Sequence, residues 1–133
     1  MSNKIYHNVF KPFDAVSIAK STTDSTTCPW LDVSGWTEKK IAIELDSSGS
    51  VDVDVDLLVS SKGYYELENE ATVDTEDYET INIVTAHTGK VYYSFDAADV
   101  DDLQRPMRSV KMTVDNDDAT DAVVVTAWVE GWS

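Results

Sequence analysis

At 133 residues the chain is long enough for one domain that buries about two-thirds of the surface its unfolded form exposes, so it needs no covalent staples. A formal net charge of -15, from 25 acidic residues against 10 Lys and Arg, excludes nucleic acid as a partner, because every phosphate contact would be repulsive. The single Cys28 excludes an internal disulfide and a Cys-His zinc site, and 42% hydrophobic content excludes a disordered chain.

Met1 to Phe10 carries Lys4 but no continuous apolar stretch, so it reads neither as a secretion signal nor as a membrane span, and a cytoplasmic origin is the default. Two weaker strands are expected at Ile5 to Phe10 and Ala15 to Lys20. The Ser- and Thr-rich stretch Ser21 to Cys28 reads as an exposed loop. From Lys40 to Asp46, Ile41, Ile43 and Leu45 alternate with Ala42, Glu44 and Asp46, the period-two signature of a half-buried strand. Val51, Val53, Val55, Leu57 and Val59 then alternate with Asp52, Asp54, Asp56, Leu58 and Ser60. The short polar link Ser47-Ser48-Gly49-Ser50 between the two runs predicts a hairpin.

Further strands are expected at Tyr64 to Glu68, Tyr78 to Ala86, Val91 to Asp96, Arg108 to Asp115 and Ala122 to Glu130. Thr88-Gly89 and Asn116 to Thr120 supply tight links. Only Ala97 to Leu103 offers helix, and a single turn of it at most. Short antiparallel strands without a long helical pattern predict an all-β, single-domain antiparallel β-sandwich over residues 1–133. A jelly roll is preferred, and an immunoglobulin-like sandwich is the runner-up, lacking the Cys pair that often marks it.

Several groups of residues carry candidate chemistry. Asp52, Asp54 and Asp56 do not fit an EF-hand, because Leu57 stands where Gly is needed and Gly63 where a bidentate Glu should be. On a strand they line one face about 6.5 to 7 Å apart, too wide for one bare ion without help from a neighbouring strand. Asp115, Asp117, Asp118 and Asp121 crowd one turn and form the candidate metal site, with calcium as the ion. The competing reading is that Asp stabilises the turn through its own backbone hydrogen bonds. No other cofactor is expected. His7 and His87 lack the Ser or Cys setting that nucleophilic catalysis requires, and no Asp or Glu sits in an apolar run that would raise its pKa. The chain is therefore read as no enzyme. Cys28, before Pro29 and Trp30, reads as a small packed residue. Trp30, Trp36, Tyr64, Tyr65, Trp128 and Trp132 are the candidate interface or binding residues, with Tyr92 and Tyr93 beside them. Core packing is the competing role for most of these rings.

Acidic residues are spread along the chain, and 17 Asp against 8 Glu with few Lys resembles the composition of proteins from halophilic archaea and their viruses. Arg105-Pro106-Met107-Arg108-Ser109-Val110-Lys111-Met112-Thr113-Val114-Asp115-Asn116, followed by Asp121-Ala122-Val123-Val124-Val125-Thr126-Ala127-Trp128-Val129, resembles the closing hairpin of small β-sandwich accessory proteins of tailed-virus particles. Trp36-Thr37-Glu38-Lys39-Lys40-Ile41-Ala42-Ile43 resembles their opening strand. The likeness covers about half the chain and rests on pattern. It implies a capsid decoration or cement protein that sits in the virion after assembly in the host cytoplasm. The partners it implies are the major capsid protein or other virion subunits and further copies of the chain, a trimer above all, with neither nucleic acid nor membrane. A tail, neck or fibre component and a non-catalytic carbohydrate-binding module are the alternatives.

Overall fold

The computed structural model describes residues 7–47, 50–69, 77–84, 87–88, 90–96, 98–100, 103 and 107–133. In chain order these form β1 (His7–Ile18), β2 (Thr22–Asp24), β3 (Leu31–Asp32), β4 (Glu38–Asp46), β5 (Ser50–Val51), β6 (Val53–Ser60), α1 (Tyr64–Asn69), β7 (Glu79–Val84), β8 (His87–Thr88), β9 (Val91–Phe95), β10 (Ser109–Asn116) and β11 (Val123–Trp132). One sheet has the order β1-β11-β4-β9 and the other β2-β10-β6-β7, while β5 and β8 form a separate two-stranded ladder.

Both β2 and β3 pair with β10, Asp24 opposite Val114 and Leu31 opposite Val110, so they act as one interrupted strand. The eight strands counted this way pair first with last (β1 with β11), second with seventh (β2/β3 with β10), third with sixth (β4 with β9) and fourth with fifth (β6 with β7). That nested order is a ribbon of strand pairs rolled over itself, the jelly roll. An immunoglobulin-like sandwich would put the first two strands in one sheet; here they lie in different ones. Ile41, Ile43, Leu45 and Val125 from the first sheet join Val53, Val55, Leu57, Met112 and Val114 from the second in one buried cluster. Each such side chain contributes about 1.5 to 3 kcal/mol by leaving water.

The alternating runs became strands, but two expected hairpins are corrected. β4 pairs with β11 and β9, whereas β6 pairs with β10 and β7, so the chain crosses between sheets after Asp46. The closing pair is likewise split, β10 in one sheet and β11 in the other. Alternation fixes only which face of a strand is buried. Ile43 and Val55 leave water equally well side by side or facing each other across a core about 10 Å thick.

Tyr64 to Glu68, expected as a strand, is helical. Its backbone turns with Leu67 N–H donating to Gly63 O at 3.2 Å, and Leu67 is the residue it buries. A pleated strand would have brought alternate tyrosines inward, whereas the helix leaves both Tyr64 and Tyr65 in solvent. The two weak N-terminal strands are one, β1, with register shifts on either side of Phe13 and Ala15 in the left-handed region at φ 51. Within the expected loop Ser21 to Cys28, Thr22–Asp24 pairs as an edge strand and Cys28 is fully buried. Of the single helical turn expected at Ala97 to Leu103, Val100 N–H donates to Asp96 O at 2.9 Å and Leu103 N–H to Val100 O at 3.0 Å, while Ala97, Asp101 and Asp102 lie outside the described residues. The links through Ser48-Gly49 and Gly89, the strand ends at Ile5 and Ala86, and the side chain of His87 lie outside the described residues.

Two contacts hold the layers in place. The fully buried Asn116 at the end of β10 places its Nδ2 3.1 Å from Ile18 O, 3.3 Å from Ala19 O and 3.0 Å from Asp121 O, reaching from the second sheet to the end of β1 in the first. Trp36 lies flat over β11 at Gly131, where an added Cβ would meet the indole Cε3 at 2.1 Å, so only glycine admits the ring. Cys28 accepts the Met112 N–H at 3.3 Å, and burial pushes its thiol up to about 11, which makes it a packed residue with no thiolate at neutral pH.

Candidate functional site

Side chains that alternate away from the core form two outer faces of unlike chemistry. On the first sheet, Trp128 and Trp132 of β11 point outward because Val125, Ala127 and Val129 point in. Trp132 stacks on His7 of the neighbouring strand at 4.8 Å and 6° between planes, and His7 Nε2 lies 3.0 Å from Glu130 Oε2. Lys11 Nζ sits 5.6 Å from the Trp128 ring centre and 2.9 Å from Asp14 Oδ1. On the other side of β11, the small Ala42 of β4 stands directly opposite Trp128, and Ser94 of β9 lies beyond it. Tyr92, 60% exposed, and Val9, 51% exposed, are large apolar groups left in water at the sheet's two edges. Lys90 lies 3.8 Å from Glu44. Lys11 and Lys90 on this face therefore already have carboxylate partners, which lowers the cost of pressing their surroundings against another surface.

A cavity of about 370 Å³ opens beside Trp132 at the end of this sheet, lined by Glu38, Lys39, Lys40, Asp96 and Leu103 among others. Lys39 is buried there with Nζ 3.3 Å from Leu103 O, and burial holds its ammonium below the usual lysine range.

The outer face of the second sheet is acidic. Asp54 and Asp115 stand directly opposite each other on β6 and β10, with Thr23 of β2 beyond Asp115 and donating to its Oδ1 at 2.8 Å. Oxygens of Asp54, Asp115 and Asp117 all lie within 4.8 Å of one another. Partial burial, followed by the charges of Asp52, Asp115, Asp56 and Asp117, raises the Asp54 pKa. Asp115 and Asp117, two of the four acids singled out in the sequence, thus meet Asp54 of the neighbouring strand. Asp118 instead holds the turn, accepting from Asp121 N–H at 2.7 Å and Thr120 N–H at 3.0 Å, and these bonds keep its carboxyl below the ordinary aspartate value. The Asp121 carboxylate accepts the Thr120 hydroxyl at 3.2 Å, and its backbone carbonyl accepts from Asn116.

The six aromatic candidates do not share one surface. Trp128 and Trp132 belong to the outer face of the first sheet. Trp36 is half-buried against Phe10, with ring centres 5.8 Å apart. Trp30 is buried to 7% exposure against Tyr78. Tyr64 and the 71% exposed Tyr65 stand on α1. Tyr93 faces inward and stacks on Phe95 at 5.8 Å. Sequence reasoning missed Asp54 as the third acid of the cluster and Val9 as an exposed edge residue, since both need the register between distant strands.

Fold and surface together define a jelly-roll domain with one charge-paired aromatic face and one acidic face. No protein-family profile matches the chain, and neither does any curated protein. Solved structures of infectious bursal disease virus do share its fold. VP2 in a subviral particle superimposes with a TM-score of 0.52 at 10% identity, over 98% of this chain and 33% of that one. A structure of the Gx strain gives 0.55 at 10% identity, over 98% and 33%. The T13 viral particle gives 0.52 at 10% identity, over 99% and 36%. The chain thus spans about a third of the length of those proteins, and at this identity the likeness establishes a shared fold.

Proposed function

We propose that the chain is a structural protein of a virion, and that it works as a capsid decoration or cement protein. It seats the outer face of its first sheet on the major capsid protein and turns the acidic face of its second sheet to solvent. The observation that carries this reading is the difference between the faces: Trp128, Tyr92 and Val9 share a face with Lys11 and Lys90, which have carboxylate partners, while Asp54, Asp56, Asp115 and Asp117 crowd together on the opposite side. A jelly roll shared with viral coat structures supports it. Aromatic groups with a rim of paired charges make a surface that loses little on dehydration, and a strongly negative outer surface keeps particles dispersed. High external salt suits such a charge, since the Debye length falls from about 10 Å at 0.1 M to about 3 Å at 1 M. A trimer is the assembly that fits a lattice-capping role.

The experiment is to return purified protein to capsids stripped of it. Saturable uptake with a raised capsid melting temperature is expected. Trp128→Ala together with Tyr92→Ala should weaken uptake at least tenfold, and Asp54→Asn should leave it unchanged. Uptake absent, or unaffected by Trp128→Ala and Tyr92→Ala, overturns the reading. Immunogold labelling of intact particles separates the capsid from a tail, neck or fibre, and mass measurement in low and high salt tests the trimer.

A further inference from the structure

The acidic face also carries a depression of about 370 Å³, a size suited to a small ligand, that the capsid reading does not use. Trp30 and Tyr78 stand at one end, their ring centres 5.9 Å apart and tilted by 52°. Asp56 of β6, Thr113 and Lys111 of β10, and Thr80 of β7 line the rest. The register puts Thr113 opposite Asp56 and Asp56 opposite Asn82. Asn82 Nδ2 donates to Asp56 Oδ1 at 2.9 Å, which fixes the carboxylate and leaves its second oxygen as an acceptor.

Among the described residues, the hydroxyls of Thr80 and Thr113, the Lys111 ammonium and the Trp30 indole N–H have no hydrogen-bonding partner. Trp30 is more than nine-tenths buried while lining this groove, so its donor is a polar group the fold itself leaves unsatisfied. Donors and acceptors alternate at the spacing of adjacent strands, about 5 Å, next to two aromatic rings. That is the pattern a ring with contiguous hydroxyls on its edge and C–H groups on its faces would meet. Asp54, Asp115 and Asp117 on the same face repel an anionic ligand.

We infer that this groove is a binding site for a neutral saccharide, a mono- or disaccharide unit whose vicinal hydroxyls bridge Asp56, Thr113 and Lys111 while a sugar face rests near Trp30 and Tyr78. The site faces away from the surface assigned to capsid contact and stands or falls independently of that assignment.

The test titrates the full chain with glucose, galactose, mannose, N-acetylglucosamine and their disaccharides, and with a sialylated and a sulfated sugar beside them, while amide chemical shifts and tryptophan fluorescence are followed. The expected result is saturable binding of at least one sugar at millimolar or better, with shifts centred on Asp56, Lys111 and Thr113. Thr113→Val and Lys111→Gln, each shown folded by its melting curve, should weaken it at least fivefold, while Trp128→Ala leaves it unchanged. The inference is overturned by a flat response to the whole panel, by shifts centred on the first sheet, by undiminished binding in both groove variants, or by preference for a sialylated or sulfated sugar.

Discussion

The two outer faces are built on the same pleat and from the same alternation, yet they treat charge in opposite ways. On the first sheet Lys11 meets Asp14 and Trp128, Lys90 meets Glu44, and His7 is held between Trp132 and Glu130. On the second, Asp54 faces Asp115 across the strand pair and Asp117 joins them. Like charges directly opposite on neighbouring strands destabilise a sheet, so the second face is maintained against its own folding energy. The difference teaches that both faces carry acids but only the second crowds them against one another, whereas Glu44 and Glu130 of the first lie beside Lys90 and His7.

The largest expected effect comes from cutting what joins the faces. Asn116→Ala leaves the carbonyls of Ile18, Ala19 and Asp121 without the donor that ties the second sheet to the end of β1. The loss should be about 3 kcal/mol, at the upper end for buried groups left unpaired, read as a lower urea midpoint with unchanged slope. Gly131→Ala follows at about 2 kcal/mol, because the new methyl would occupy the space of the Trp36 ring. Adding Trp36→Leu should recover part of that loss. Strict additivity of the two changes would show that the contact is not the cause.

Acid titration separates the faces by sign. Asp54 has a raised pKa, chiefly through partial burial and then through its acidic neighbours. Its ionised form therefore opposes folding at neutral pH, and that penalty fades as pH falls through the raised value toward the ordinary aspartate range. Asp54→Asn should accordingly stabilise at pH 7 and low salt by less than about 1 kcal/mol, given its exposure, and the gain should vanish near pH 3. Asp118 has a lowered pKa from the Asp121 and Thr120 bonds. Its contribution is present above the ordinary value and is lost as pH falls through the lowered one, so Asp118→Asn should destabilise at pH 7 and cease to matter in strong acid. Melting curves from pH 7 to pH 2 check both, and equal signs for the two variants at pH 7 would break the comparison.

The strands were legible because one face of each is buried: Ile41, Ile43 and Leu45, or Val53, Val55 and Leu57, announce their period in the sequence. Their sheet membership was not legible, since a strand is indifferent to whether its apolar face meets a neighbour from the same sheet edge or from across the core. The same ignorance of register hid the Asp54–Asp115 pair, whose members are far apart in the chain and adjacent only through β6 and β10. Local propensity misled at Tyr64 and Tyr65, where aromatic β preference lost to a helix that needs only Leu67 buried. Trp30 looked like an interface ring and proved a buried one, because composition does not say which aromatic meets Tyr78.

The smallest effect tests the first face by itself. Lys11→Ala removes an ion pair at 2.9 Å and a cation over the Trp128 ring at 5.6 Å, and both are exposed, so about 0.5 kcal/mol is expected. Lys90→Ala, with its partner at 3.8 Å, should cost about 0.2 kcal/mol. Raising the salt to 2 M should shrink both losses and also that part of the Asp54→Asn gain that comes from its acidic neighbours, because these are screened Coulomb terms, while the part due to burial stays. If salt erased the Asp54→Asn gain but left the Lys11→Ala loss whole, the lysine would act through its apolar stem packed on Trp128. The first face would then be held by contact and the second by charge alone.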